Sequence, residues 1–166
     1  MGPVDPPVPA PDLVLVNHSG QPLRLRTWLQ GRVTLVQTIF TGCTSVCPIQ
    51  GALFAEVQRH VAAQPRLHAV QLLSISIDAL GDTPASLARW LEKMGARQPG
   101  WVAALPRPAD VEPLQSRLRG GVAIDKGLDS HSESVYVFDE KALLRWRTFS
   151  LPTANEVMRV VAHFAA

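Results

Sequence analysis

Cysteine is scarce in this chain of 166 residues: there are two, too few for the disulfide framework of a small secreted scaffold and too few to assign a redox compartment by counting. Charge is scarce as well. Charged residues make up 18% of the sequence and the formal net charge is only +2, which is too mild to propose nucleic acid as a partner. No block of like charges occurs, and the pairs Arg117 with Arg119 and Arg145 with Arg147 read as solvated faces. There is no run of roughly 18 apolar residues, so no segment reads as membrane-spanning. Met1 to Pro11 lacks the basic start and apolar middle of a signal peptide. It is proline-rich, extended and unable to form a core, so segment 1–11 reads as a tether or an artificial boundary, with 12–166 as one soluble domain. No internal repeat is visible.

What the chain does have is a hydrophobic content of 46%, enough for one substantial core and not for two full domains. The stretch from Val33 to Gln50 organises the rest. Val33 to Phe40 is a β-branched apolar run that suits a strand buried on both faces. Thr41-Gly42 breaks it, Cys43 and Cys47 follow, and Pro48 sits at a position favoured in the first turn of a helix. A helix start stabilises a thiolate and lowers a cysteine's pKa, so both sulfurs are expected to be reactive. Residues four apart near a helical turn have Cβ atoms about 5–6 Å apart, which admits a disulfide or two thiolates on one metal ion. A pair of inert structural thiols is the bland alternative.

The remaining elements alternate. Leu13 to Asn17 is a short strand, and Leu23 to Leu29 is a further apolar stretch ahead of Gly31. Ile49, Leu53, Phe54 and Val57 recur at helical spacing until Pro65. Val70 to Ile77 is the second strong strand, and Thr83 is placed to cap a helix opened by Pro84 and continuing through Leu87, Trp90, Leu91 and Met94. A short strand is expected at Trp101 to Leu105 and a helix at Val111 to Leu118. Ser134 to Phe138 and Ala142 to Thr148 form a hairpin, and Thr153 to Phe164 is an amphipathic helix. The order βαβα then ββα implies an α/β fold with a mixed central sheet flanked by helices, its active loop at the carboxyl end of the strand that opens the first βαβ unit.

Asp78 ends the second strong strand at that same sheet edge. It is a candidate for a contact behind the site or for proton handling, and equally for a turn residue that bonds its own backbone. Asp82-Thr83-Pro84 reads as a helix cap. The four tryptophans are scattered, which suits packing or a partner surface. His60 and His163 fall on helices, His18 and His68 on loops, and spacing alone does not choose among these and His131 as ligands. Thiolates are soft ligands that favour Cu(I), an added imidazole allows Cu(II), and structural zinc would call for a fourth protein ligand.

A strand, a cysteine pair at a helix start, βαβ and ββα is a thioredoxin-like arrangement. With Thr38-Ile-Phe-Thr-Gly-Cys43-Thr-Ser-Val-Cys47-Pro48, Ser76-Ile77-Asp78 followed by Asp82-Thr83-Pro84, and Ser130-His131-Ser132 leading into Val135-Tyr-Val-Phe-Asp139, the chain resembles the SCO/SenC family from about Leu13 onward. That resemblance implies a thioredoxin-like domain that binds copper, as Cu(I) and Cu(II), through Cys43, Cys47 and His131, and that helps assemble the copper centre of cytochrome c oxidase. It further implies a monomeric, exported or periplasmic domain held by an upstream membrane anchor, whose partner is a copper-accepting oxidase subunit or another copper chaperone. The chain departs from the family pattern at Ser130, where the family often has Asp, and at Ala79, where it often has Pro.

Three functions stay open at this point. The leading one is a copper metallochaperone. A second is a thiol–disulfide oxidoreductase that uses Cys43 and Cys47 on a copper-accepting partner and does not need His131. The third is a peroxide-reducing relative, suggested by Thr44 three residues before Cys47.

Overall fold

In the computed structural model, which describes residues 2–42, 47–120 and 133–165, the chain forms a single eight-stranded mixed sheet with helices against both faces. The strands are β1 (Gly2–Pro9), β2 (Val14–Asn17), β3 (Pro22–Arg24), β4 (Thr34–Ile39), β5 (Gln71–Ser76), β6 (Trp101–Leu105), β7 (Val135–Phe138) and β8 (Leu143–Arg147). The α-helices are α1 (Leu25–Leu29), α2 (Cys47–Ala62), α3 (Pro84–Met94), α4 (Val111–Arg119) and α5 (Ala154–Ala165). Across the sheet the order is β1-β8-β7-β4-β5-β6-β2-β3.

The centre is made by β4 and β5, parallel from Thr34 opposite Gln71 to Ile39 opposite Ser76, with every residue of both strands buried. That two-sided burial is what the unbroken apolar runs anticipate. β6 joins parallel to β5, while β7 pairs antiparallel to β4 and β8 antiparallel to β7. Two antiparallel steps leave β8 running in the direction of β4, so the carboxyl ends of β4, β5, β6 and β8 share one edge. On one face Leu35, Ile39, Leu72, Trp101, Val135 and Val137 meet Phe54 and Val57 of α2, Leu87 and Trp90 of α3, and Val157 and Val161 of α5. On the other, Val36, Leu73, Ile75 and Tyr136 meet Leu25 and Leu29 of α1 and Leu114 and Leu118 of α4. Gly51 lets α2 approach α3 closely, because a Cβ there would run into Met94 and sit 3.3 Å from the ring of Trp90.

The expected helices and the hairpin occur where periodicity and caps put them. Thr83 is the N-cap of α3: its side chain accepts the N–H of Ser86, and the Ser86 hydroxyl accepts the N–H of Thr83. The expected strand at Leu13 to Asn17 is β2, and Leu23 to Leu29 divides between β3 and α1.

Two readings need correction. Residues 2–9, expected to be an extended segment outside the core, are extended but belong to the sheet: β1 pairs antiparallel with β8, and Val4 and Ala10 are buried beside Leu15, Leu23 and Leu144. Proline lacks the N–H that an inner strand must donate, so a proline-rich strand fits only at a sheet edge, and there it also blocks further pairing. Of the arginine pairs, Arg117 is exposed as expected, but the other three are not simply solvated. Arg119 is buried, Arg145 pairs with Asp139 at 2.9 Å and lies over the Phe164 ring, and Arg147 Nη1 donates to the Leu118 carbonyl at 3.1 Å.

Candidate functional site

The strand that delivers the cysteines ends at Ile39, whose carbonyl accepts the N–H of Ile77 at 2.8 Å, so β4 and β5 stay in register up to the edge. Thr41 and Gly42 then form a turn, and Cys47 is the first residue of α2. Cys43 lies outside the described residues. No acidic residue stands in the first turn of α2, so nothing there offsets the positive end of the helix dipole.

The approach to the cysteines is fastened by a residue that sequence reasoning assigned to a helix cap. Thr83 does the capping, and Asp82 does something else. The residue is only 5% exposed, and its carboxylate accepts the Thr41 N–H at 3.0 Å, the Thr41 hydroxyl, and the Ser76 hydroxyl at 2.7 Å. The Ser86 hydroxyl lies 3.1 Å away as a further donor. One side chain thus ties the turn after β4 to the end of β5 and the first turn of α3. No local pattern distinguishes this Asp from a cap, because its partner Thr41 is distant in sequence.

Asp78, the other carboxylate singled out, makes the local contacts of a turn residue. Its Oδ1 accepts the Gly81 N–H at 2.9 Å, its own N–H reaches the Ser76 hydroxyl at 3.2 Å, and its carbonyl accepts the Asp82 N–H at 2.8 Å.

His131 also lies outside the described residues, but both flanks of its segment are described, and both are held by the end of β8. On the near side Gly120 closes α4 in the left-handed conformation, and a Cβ there would come within 2.6 Å of Arg147 Nη1. The same Nη1 holds the Leu118 carbonyl. On the far side Val135 exchanges two bonds with Thr148: its N–H donates to the Thr148 hydroxyl at 2.9 Å, and its carbonyl accepts the Thr148 N–H at 3.0 Å. The segment that carries His131 therefore leaves and returns beside the sheet edge at which α2 begins. Of the other histidines, His60 is exposed beside Glu56 at 3.8 Å, His68 and His163 are exposed, and His18 lies against Ala103 on β6. Among the described residues no group of three or more His, Cys, Asp or Glu is arranged to hold a metal ion, and no helix is long and apolar enough to cross a membrane.

A family model described as SCO1/SenC matches residues 7–165. The chain belongs to the SCO1/SenC family. Among curated relatives, the bovine (Bos taurus) mitochondrial SCO2 homolog is 31% identical over 100 residues, covering 60% of this chain and 37% of that protein. The chain spans between a third and a half of the length of the curated relatives it matches. Among solved structures, a SCO1/SenC family lipoprotein from Bacillus anthracis superposes with a TM-score of 0.83 at 21% identity, covering 98% of this chain and 99% of that one. Yeast Sco1 with copper bound gives 0.76 at 18% identity, covering 95% and 92%. These superpositions bear out the expected fold class, an α/β thioredoxin-like fold with a mixed sheet and flanking helices.

Proposed function

We propose that this SCO1/SenC domain is a copper metallochaperone that holds Cu(I) or Cu(II) through Cys43, Cys47 and His131 and delivers it toward the copper centre of cytochrome c oxidase. The observation that carries this reading is the convergence of two chain segments on one sheet edge: Cys47 opens α2 beyond the carboxyl end of β4, and the segment bearing His131 is rooted at Leu118 and Val135 by Arg147 and Thr148. The donor set fits the cargo. Two thiolates are soft and suit Cu(I), and an imidazole nitrogen supplies the harder donor that Cu(II) prefers. Thiol–disulfide exchange with a partner disulfide, which leaves as its dithiol while Cys43–Cys47 forms, would remove both thiolates and release the ion, so the same pair can gate loading. The names of relatives point the same way: yeast Sco1, Arabidopsis thaliana ScoI and Bradyrhizobium japonicum ScoI are each known with copper bound, and BsSco is described as carrying a disulfide switch within a family of cytochrome c oxidase assembly proteins. An exported, membrane-tethered setting is part of the proposal, in keeping with a lipoprotein and mitochondrial proteins among the relatives.

A second reading, thiol–disulfide exchange on a copper-accepting partner, is supported by Cys47 opening α2, whose first turn holds no acidic residue, and requires only the cysteines. Paired titrations separate the two. Fully reduced protein should bind one Cu(I), and Cys43→Ser or Cys47→Ser should abolish tight binding without unfolding the domain. His131→Ala should keep substantial Cu(I) binding but lose most Cu(II) affinity, together with the strong thiolate-to-copper absorption. No bound copper in the wild type would sink the metallochaperone reading. A His131→Ala protein that binds both ions like the wild type would put the oxidoreductase reading in its place.

A further inference from the structure

We infer that Asp82 is a positioning residue for the cysteine loop, clamping Thr41 so that the chain enters the loop in one conformation. This rests on the proposed use of Cys43 and Cys47 and names how that pair is kept in register. The clamp is two-pronged: the backbone N–H and the hydroxyl of Thr41 both donate to the Asp82 carboxylate, one to each oxygen. Two bonds to one residue fix its backbone position and its χ1 rotamer together, and Thr41 is two residues before Cys43.

The carboxylate is itself held from the opposite side. Ser76 at the end of β5 donates to Oδ2 at 2.7 Å, and the Ser86 hydroxyl lies 3.1 Å from Oδ1 while also facing the Thr83 carbonyl at 3.0 Å. All of these donors are neutral. Asp82 is 5% exposed, and a carboxylate on so buried a residue is costly unless hydrogen bonds replace its water. Helix capping does not require it, because Thr83 and Ser86 complete the capping box. What the arrangement accomplishes is the docking of the Thr41 turn onto the end of β5 and the first turn of α3. A loop with one end immobilised loses less conformational freedom when two sulfurs close on an ion or on each other, which is how residues behind a site raise its affinity.

The test compares Asp82→Ala, Asp82→Asn and Ser86→Ala with the wild type in two assays. One is Cu(I) affinity of the reduced protein against a chromophoric chelator. The other is metal-free: the equilibrium in which the Cys43–Cys47 disulfide and two glutathione thiols give two cysteine thiols and glutathione disulfide. Asp82→Ala should weaken Cu(I) binding by about 10- to 100-fold, the usual scale for losing a partner behind a ligand, and should shift the glutathione equilibrium about tenfold toward the dithiol. Asp82→Asn should lose less than about tenfold: the Thr41 N–H can only donate, so the amide oxygen turns to it and to Ser76, while the amide NH₂ faces hydroxyls of Thr41 and Ser86 that can accept. Ser86→Ala should lose clearly less than Asp82→Ala in both assays, because Thr41 and Ser76 still donate to the carboxylate. Should Asp82→Ala fail to fold, Thr41→Val, which removes one prong, carries the test with the same direction in both assays.

The inference is overturned if Asp82→Ala or Thr41→Val leaves both assays unchanged, or if Ser86→Ala is as damaging as Asp82→Ala. A wild type that takes up no copper would remove the metallochaperone reading alone. The glutathione equilibrium would then decide, a tenfold shift supporting the clamp and no shift overturning it.

Discussion

Replacing Gly120 by alanine should destabilise the domain by more than the same change at Gly95, and the size of the excess follows from one guanidinium. Both glycines close a helix in the left-handed conformation, with φ of 79° at Gly95 after α3 and 65° at Gly120 after α4. A non-glycine residue held there costs about 1–2 kcal/mol. At Gly95 that is the whole penalty, because a Cβ would meet nothing within 4 Å. At Gly120 the Cβ would lie 2.6 Å from Arg147 Nη1 and 2.7 Å from Nη2, closer than any real contact.

The arginine tip is flexible and would swing away, giving up its bond to the Leu118 carbonyl and its position 5.6 Å over the Phe149 ring. A hydrogen bond from a charged donor contributes about 1.5–3 kcal/mol and a cation–π contact about 0.5–1. Arg147 is half-buried, so solvent competes and the lower end applies: an excess of about 1–2 kcal/mol, for a total of about 2–4 at Gly120. Urea unfolding at neutral pH measures each cost, provided the denaturant slopes agree. The double-mutant cycle with Arg147→Ala is the decisive arm. In that background Gly120→Ala should fall to the cost seen at Gly95. Equal costs at the two glycines in the native background, or an excess that survives removal of Arg147, would refute the reasoning.

Two further outcomes are expected. Ser74→Ala should destabilise by about 2–4 kcal/mol in the same urea assay, because the Ser74 hydroxyl accepts both Gln37 Nε2 at 2.9 Å and Trp101 Nε1 at 3.0 Å in the core, and its loss orphans two buried donors; a cost under about 1 kcal/mol would mean the core re-forms those bonds elsewhere. Removing residues 1–10 should lower the melting temperature and raise the tendency to self-associate, read by light scattering, because it strips β1 from the edge of β8, uncovers Leu144 and deletes the Ala10 carbonyl that accepts from Arg26 at 2.7 Å; a truncated domain as stable and monodisperse as the parent would mean β1 contributes nothing to the fold.

How legible the molecule was in its sequence depended on whether the signal was local. β4 and β5 were plain because a strand buried on both faces is written as a continuous apolar run, and α3 was plain because Thr83 and Pro84 write its start in adjacent residues. β1 was hidden by composition. Proline in quantity argues for a linker, and the counter-argument, that an outermost strand needs few donors, depends on knowing that β8 has a free side. The arginines were misread because a cation's partner is a matter of tertiary placement: Arg145 finds Asp139 across the hairpin, and Arg147 finds α4. Asp82 shows the same limit at the site. Its sequence neighbourhood satisfies a cap completely, so nothing local called for a second explanation.

The contacts at the sheet edge also bracket the two segments to which the proposal assigns copper binding. Each is flanked by ties made to rigid elements: Asp82 on Thr41 before the cysteines, the first turn of α2 after them, Arg147 on Leu118 before the histidine segment and Thr148 on Val135 after it. None of these ties uses a sulfur or imidazole. A carrier needs that division, because a donor engaged in holding the fold together could not exchange an ion with a partner without loosening the fold. The departure at Ser130, beside the proposed ligand, falls inside a flanked segment and leaves every one of these ties intact. Residue changes next to the ligands should therefore tune how the ion is presented, whereas changes at Asp82, Arg147 or Thr148 should alter whether the three donors meet at all.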